Sequence, residues 1–244
     1  AMGSAANSTH AYGIGGRAPS ASSRVTRIDY SNDTASPSPK GPLSATNYGG
    51  AAASGLSNAQ YQFSESVSAP VQPPFPYPEQ LTDPRGPAYG YFSGGFNPSN
   101  SPAHPSAVYY SNVDRVDFAS DTSTASPKGK LDQARYVAGA AGSPSHGYIG
   151  ASSLSSGYTS IVARVDYAND SATAVVKGSM APGTDRYQAA TSNTSYGWFS
   201  GGQPGGSNSK VQRIDFSNDD TTASPRGNLT LSRQALAGAG NASY

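Results

Sequence analysis

Short bursts of alternating apolar and polar residues, bounded by glycine, proline or Asn/Asp pairs, recur along this chain. In "VQRIDF" from Val211 the alternation puts Ile214 on one face and Arg213 with Asp215 on the other, as a strand does. The "SND" that follows reads as a hairpin turn, because Asn and Asp tolerate left-handed backbone and bond locally. "TTASP" reads as the next strand, stopped by Pro225 and Gly227.

The same words return. "RIDYSNDTASPSPKG" starts at Arg27, "RVDFASDTSTASPKG" at Arg115, "RVDYANDSATAVVKG" at Arg164 and "RIDFSNDDTTASPRG" at Arg213. The last three starts are 49 residues apart, while 88 residues separate Arg27 from Arg115. An aromatic-glycine segment precedes each copy: "HAYGIGG" at His10, "YGYFSGG" at Tyr89, "HGYIGAS" at His146 and "YGWFSGG" at Tyr196. A Leu-x-x-x-Arg element follows in "LDQAR" (Leu131, Arg135) and "LTLSR" (Leu229, Arg233). It is loosened to "MAPGTDR" (Met180, Arg186) and altered to "LSATN" (Leu43, Asn47). Small-residue stretches such as "VAGAAGS" come next. Each unit thus predicts four short strands: aromatic-glycine, "VxRIDF", "TTASP", and the small-residue stretch as the fourth and innermost. Four strands per 40 to 50 residues, repeated, is the pattern of a β-propeller.

Repeat phase also predicts boundaries. The units fall at 7–54, 89–142, 143–191 and 192–244, with a degenerate unit at 55–88 that holds "QYQFSES" and the proline-rich "APVQPPFPYPEQ". Five blades are favoured, because "LTDPR" before Tyr89 keeps the repeat phase; four blades plus a surface insertion is the alternative. "NASY" at Asn241 to Tyr244 is in phase with "NSTH" at Asn7 to His10, so the ring is expected to close on one blade shared by both ends.

The order of Gly-Gly doublet, hydrophobic-Asp strand, polar hairpin and Leu-x-x-x-Arg resembles the kelch repeat over nearly the whole chain except 55–88. The tryptophan that kelch repeats carry after the hairpin is absent, with "TTASP" and "STASP" in its place. The wording "RIDFSND…TASPRG" with "YGWFSGG" looks more like kelch-like repeats in predicted structural or tail proteins of marine bacteriophages. That resemblance implies a virion or cell-surface binding role and brings no catalytic residues with it.

Composition narrows the function classes. The 244 residues carry 16 Lys plus Arg against 15 Asp plus Glu, a net charge of +1, which gives no electrostatic case for nucleic acid. No apolar run approaches a membrane span, so membrane insertion is not expected. The chain has no cysteine, which removes disulfides, thiolate metal sites and the cysteine–tyrosine crosslink that galactose-oxidase-like kelch enzymes need. Glu65 and Glu79 are the only glutamates, both in the irregular segment, so a unique acidic pair for glycoside hydrolysis is lacking. No catalytic residue, metal site or cofactor is predicted.

Asp29, Asp117, Asp166 and Asp215 occupy one strand position in four units, beside Arg27, Arg115, Arg164 and Arg213. Four equivalent copies suggest a structural role, that of a buried or half-buried carboxylate held by a backbone amide or by an arginine. Arg135, Arg186 and Arg233 are the natural partners. The Asn-Asp pairs of the hairpins read as turn chemistry, being too short for a calcium cage. His10 and His146 share a slot that holds Tyr89 and Tyr196 elsewhere, which reads as packing, and His104 lies in a long loop; a three-histidine metal site is not expected.

Tyr12, Tyr91, Tyr148 and Trp198 share another position. They either fill the space between blades, the favoured reading, or stack on sugars. Tyr109 and Tyr110 in the long loop and Tyr77 in the proline-rich segment are the exposed candidates. The expectation is a non-enzymatic binding or structural module, extracellular or on a virion surface. Its partner is a protein or a surface glycan, with assembly into a larger particle as a further possibility. A lectin with sites repeated between blades is the alternative, and a propeller enzyme is the least favoured class.

Overall fold

The computed structural model describes residues 3–6, 10–14, 23–32, 34–43, 54–57, 89–97, 107–181, 186–203 and 207–238. They form an all-β structure whose main units are four antiparallel four-stranded sheets. Sheet I runs through Gly3–Ala6, His10–Ile14, Val25–Asp29 and Ser38–Pro39. Sheet II holds Ser54–Ser57, Tyr89–Ser93, Asn112–Asp117 and Ser126–Lys130. Sheet III holds Ala140–Gly142, His146–Ile149, Ile161–Asp166 and Val175–Ser179. Sheet IV holds Ala189–Ser192, Tyr196–Ser200, Asn208–Asp215 and Ser224–Arg233.

Within each sheet the strands pair in chain order, as short hairpin connections favour. The small-residue stretches pair with the aromatic-glycine strand that follows them: Ala141 lies opposite Tyr148 and Thr191 opposite Trp198. They are therefore the first strand of the next sheet, and not the fourth strand of the preceding unit that the repeat pattern predicts. Small side chains still have a packing reason there, because the first strands of successive sheets lie side by side.

The strand pairs also bear on the boundaries, and Asn241 to Tyr244, on which the ring-closure expectation rests, lie outside the described residues. Sheet I draws all its strands from residues 3–39, with Gly3–Ala6 in the place that ring closure would assign to the C-terminal end. Ser54–Ser57 pairs with Tyr89–Ser93, so residues 58–88 fall between two adjacent strands of sheet II. Apart from Gly55 to Ser57, the segment favoured as a degenerate blade, with Tyr77, Glu65 and Glu79, lies outside the described residues, as does His104.

The core is divided among the three gaps between consecutive sheets. Tyr12, Val25 and Leu43 meet Phe92, Val116 and Ala125 between sheets I and II. Tyr91, Val113 and Leu131 meet Ile149, Val165 and Ala174 between II and III. Tyr148, Val162 and Met180 meet Phe199, Ile214 and Ala223 between III and IV. The alternating strand pattern explains this division, since each third strand sends residues to both flanks.

Candidate functional site

The charged repeat residues meet at the sheet boundaries. Tyr12 donates its hydroxyl to Asp121 at 2.9 Å, Arg27 donates to the same Oδ2 at 2.7 Å, and Lys40 Nζ lies 3.3 Å from Oδ1. Tyr91, Arg115 and Lys128 converge on Asp170 in the same way, at 3.1, 2.7 and 3.5 Å. Tyr148, Arg164 and Lys177 converge on Asp219 at 3.0, 2.7 and 3.0 Å. In each case three donors of one sheet hold a carboxylate carried by the turn of the next. Each tyrosine ring also stacks on an aromatic of the next sheet: Tyr12 on Phe118, Tyr91 on Tyr167 and Tyr148 on Phe216, with centroids 4.6, 4.8 and 4.6 Å apart.

Electrostatics follow the geometry. Burial pushes the carboxyls of Asp121 and Asp219 up, but their tyrosine, lysine and arginine donors outweigh it, and both end below the usual carboxylate range. Tyr12, Tyr91 and Tyr148 move the other way: burial, reinforced by the facing carboxylate, pushes each phenol well above its ordinary value. These groups are locked in one protonation state near neutrality, which suits a structural joint.

The carboxylates singled out by sequence are held by backbone amides, one of the two partners expected for them. Asp29, Asp117, Asp166 and Asp215 each accept from the backbone amide two residues on, at Ser31, Ala119, Ala168 and Ser217, at 2.8 to 3.0 Å. At Asp166 and Asp215 this caps the 3-10 turns Tyr167–Asn169 and Phe216–Asn218. Their expected arginine partners are engaged elsewhere. Arg135, fully buried, donates to Asp132 at 2.6 Å and to the Ile161 carbonyl at 3.1 Å. Arg186 covers Tyr158 and Tyr187, and Arg233 is exposed. The buried carboxylates that cross to a neighbouring sheet are the turn residues Asp121, Asp170 and Asp219, while Asp114, buried as well, lies on a strand of sheet II.

Of the candidate ligand-binding residues, Tyr12, Tyr91 and Tyr148 are each 1% exposed and have no face to offer a sugar. Trp198, their counterpart in sheet IV, is half-buried and packs edge-on against Tyr196 at 5.8 Å. Tyr110 is half-buried, and its backbone carbonyl accepts from the Arg135 amide. Among the described residues, no group of three or more His, Asp or Glu is placed to hold a metal ion.

Tyr109 belongs to a surface that the repeats do not share. The connections between second and third strands in sheets II and III extend into two-stranded ribbons, Phe96–Asn97 with Val108–Tyr109 and Ser152–Leu154 with Gly157–Thr159. Antiparallel order brings these connections to the same end of the sheets as the segments that lead from one sheet to the next. Phe96, Tyr109 and Tyr136 form a cluster there, with centroids 4.9 to 5.2 Å apart. Tyr136 exchanges both backbone hydrogen bonds with Ser153, tying this cluster to the sheet III ribbon. Arg186 then lies over Tyr158 at 4.8 Å and Tyr187 at 5.3 Å. The Tyr187 amide donates to the Val137 carbonyl at 2.9 Å, which joins the two groups into one surface, and burial there, reinforced by Tyr136 and opposed by the Arg186 charge, raises the Tyr109 phenol.

Tyr158 is 55% exposed, and Phe96, Tyr136 and Tyr187 are half-buried. Sequence reasoning found Tyr109 and missed the others. The available signal was the Arg-Tyr pair at 135–136 and 186–187, which sheet IV replaces with Arg233-Gln234. A separate polar cleft of about 380 Å³ opens between the fourth strand of sheet II and the turn of sheet III, lined by Lys128, Lys130, Asn112 and Thr173 among others.

No family model matches the sequence, and no curated protein sequence matches it. Among solved structures the fold is similar to that of YjhT, with a TM-score of 0.63 and 10% identity over 96% of this chain and 66% of that chain. The chain thus spans just under two thirds of that structure's length. At this identity the likeness concerns the fold alone.

Proposed function

We propose that the chain is a non-enzymatic binding module on a kelch-like β-propeller scaffold, displayed outside the cell or on a virion. The propeller reading is supported by four four-stranded sheets in chain order, by first strands that lie side by side, and by three joints built to one plan. In this reading the sheets are four blades and residues 58–88 are an insertion within the second. The binding role rests on one observation: the aromatic–arginine surface of Phe96, Tyr109, Tyr136, Tyr158, Arg186 and Tyr187 is built from parts the four units do not share. The repeated Asp, Arg, Lys and Tyr side chains are spent on holding the sheets together. The exposed surface is what distinguishes one end of the sheets from the other.

A surface glycan is the ligand class this patch suits best, since flat exposed rings stack on sugar faces and a guanidinium beside them can bond hydroxyls or a carboxylate. The test is glycan-array binding by the full chain and by Tyr158→Ala and Arg186→Ala. Binding that falls about tenfold or more in both variants, with an unchanged melting temperature, supports the reading. Binding that ignores both variants moves the ligand site elsewhere. A wholly silent array removes the glycan reading and leaves a protein partner.

A further inference from the structure

The joints between consecutive sheets share one plan, and the joint between II and III departs from it at two side chains. Between III and IV, Lys177 is shared by two carboxylates, Asp219 at 3.0 Å and Asp220 at 2.9 Å. Beside them the Ser179 hydroxyl meets that of Thr222 at 3.3 Å, so side chains close the gap between the two sheets. At the same positions 49 residues earlier, Ser171 stands for Asp220 and Lys130 for Ser179, with Lys128 and Thr173 matching Lys177 and Thr222. Lys128 has one carboxylate contact among the described residues, to Asp170 at 3.5 Å, and Lys130 forms no ion pair with a described residue.

The polar cleft of about 380 Å³ opens at this place. A bulge bends the fourth strand of sheet II here, with Pro127 to Lys130 spanning only Asp114 to Asn112 of the third strand. Sheet III has the same bulge, from Val176 to Ser179, so the difference lies in the side chains. Lys128 and Lys130 line the cleft from sheet II, with Ser111 and Asn112 beside them, and Ser171 and Thr173 line it from the turn of sheet III. No carboxylate lines it. Charge follows the substitutions. Between III and IV two carboxylates are set against two cations, Arg164 and Lys177. Between II and III the single carboxylate of Asp170 is set against three, Arg115, Lys128 and Lys130. Arg115 already holds Asp170 at 2.7 Å, and the Tyr91 hydroxyl donates to the same oxygen. Two ammonium groups are thus short of negative charge beside a wall of hydroxyls.

We infer that this cleft is a binding site for a phosphate or sulfate group, which takes the place that the Asp220 carboxylate holds between III and IV. Lys128 and Lys130 supply charge-assisted donors, and the hydroxyls of Ser171 and Thr173 supply neutral ones. Lysine suits the task, being a compact charge with three rotatable donors. The volume lies at the lower end of the range for ligand pockets, so the cleft holds the oxyanion together with part of a small molecule that bears it. The site shares no residue with the aromatic–arginine surface and stands independently of the role proposed for that surface.

Amide NMR spectra of the full chain test this, titrated at matched ionic strength with sodium phosphate, sodium sulfate, glucose 6-phosphate and glucose, and with sodium chloride as the baseline. Saturable shifts are expected at Gly129, Lys130, Ser171 and Thr173 with the three oxyanions, and none at these amides with glucose. Tighter binding of glucose 6-phosphate than of phosphate identifies an organic phosphate or sulfate as the ligand class; equal binding identifies the free ion. Lys130→Ser and Ser171→Asp each install the residue of the closed joint. Each should weaken phosphate binding about tenfold or more without lowering the melting temperature. The reverse pair, Ser179→Lys with Asp220→Ser, should open a second site and bring saturable shifts to Gly178. Cleft amides that respond to the oxyanions no differently than to chloride overturn the proposal, as does phosphate binding that survives both Lys130→Ser and Ser171→Asp.

Discussion

The hydroxyl of Tyr148 donates to the carboxylate of Asp219 at 3.0 Å, although 71 residues separate them. Arg164 and Lys177 reach the same carboxylate, at 2.7 and 3.0 Å, so one turn residue of sheet IV gathers three donors of sheet III. Removing it leaves the Arg164 guanidinium and the buried Tyr148 hydroxyl without their carboxylate, while Lys177 keeps its pair with Asp220 at 2.9 Å. Asp219→Ala should therefore cost about 3 to 5 kcal/mol, the range for breaking a buried pair by deleting one partner. Asp166→Ala removes only the cap of an exposed 3-10 turn and should cost a small fraction of that. Urea unfolding of the two variants beside the wild type checks the ordering; equal losses would mean that the strand aspartates carry the joint after all.

Tyr148→Phe separates the hydroxyl from the ring. The ring stack on Phe216 survives while the hydrogen bond to Asp219 is lost, so the cost should be about 1.5 to 3 kcal/mol, as for a bond to a charged group. Tyr148→Ala also removes the stack and opens a cavity, which raises the cost to roughly 3 to 5 kcal/mol. Trp198 shows that an aromatic without a hydroxyl fits the equivalent strand position in sheet IV. Thermal unfolding of the pair reads the difference.

Stability should fall at both ends of the pH range, for opposite reasons. Asp121 and Asp219 are held below the unfolded carboxylate value of about 3.9, so their contribution is complete above that pH and is lost as pH falls through their folded values. Tyr12, Tyr91 and Tyr148 are raised above the unfolded phenol value of about 10, so their contribution is present below that pH and is lost as pH rises beyond it. A melting-temperature profile from acid to alkali should be a plateau with two shoulders. Asp219→Asn should flatten the acid shoulder; an unchanged acid limb in that variant would locate the titration elsewhere.

The repeat was legible because its offsets are constant: Arg27, Arg115 and Arg164 are each followed thirteen residues later by Lys40, Lys128 and Lys177. What spacing could not reveal was which aspartate of each unit is buried. Asp215 and Asp219 both recur and both sit near arginines, but Asp215 ends a strand and folds back onto the Ser217 amide, while Asp219 follows the turn and is carried into the neighbouring sheet. Only the packing of one sheet on another separates the two. The aromatic surface escaped for a related reason. Tyr136 and Tyr158 belong to different sequence words, and a backbone bridge from Tyr136 to Ser153 is what joins their elements. Periodicity reports what units share, so a surface made of their differences leaves little trace in it.

Gly178 offers the most local test of the joint. Its amide donates to the Asp219 carbonyl at 2.8 Å, and a Cβ there would lie 2.0 Å from the Thr221 carbonyl oxygen and 2.7 Å from its carbon. Both atoms are backbone, so no side chain can swing aside. Gly178→Ala must push the Phe216–Asn218 turn outward, which lengthens that hydrogen bond and draws Asp219 away from Arg164 and Lys177. The expected loss is about 1 to 3 kcal/mol, the range for overpacking a close contact. Gly129→Ala should behave alike, with the Ala172 carbonyl 1.9 Å from its Cβ. Gly227→Ala, at the same repeat position with open space around it, should stay within about 0.5 kcal/mol of wild type. Chemical denaturation of the three variants gives the comparison. A loss at Gly227 as large as at Gly178 would mean that backbone freedom, and not the close approach of two sheets, is what these glycines supply.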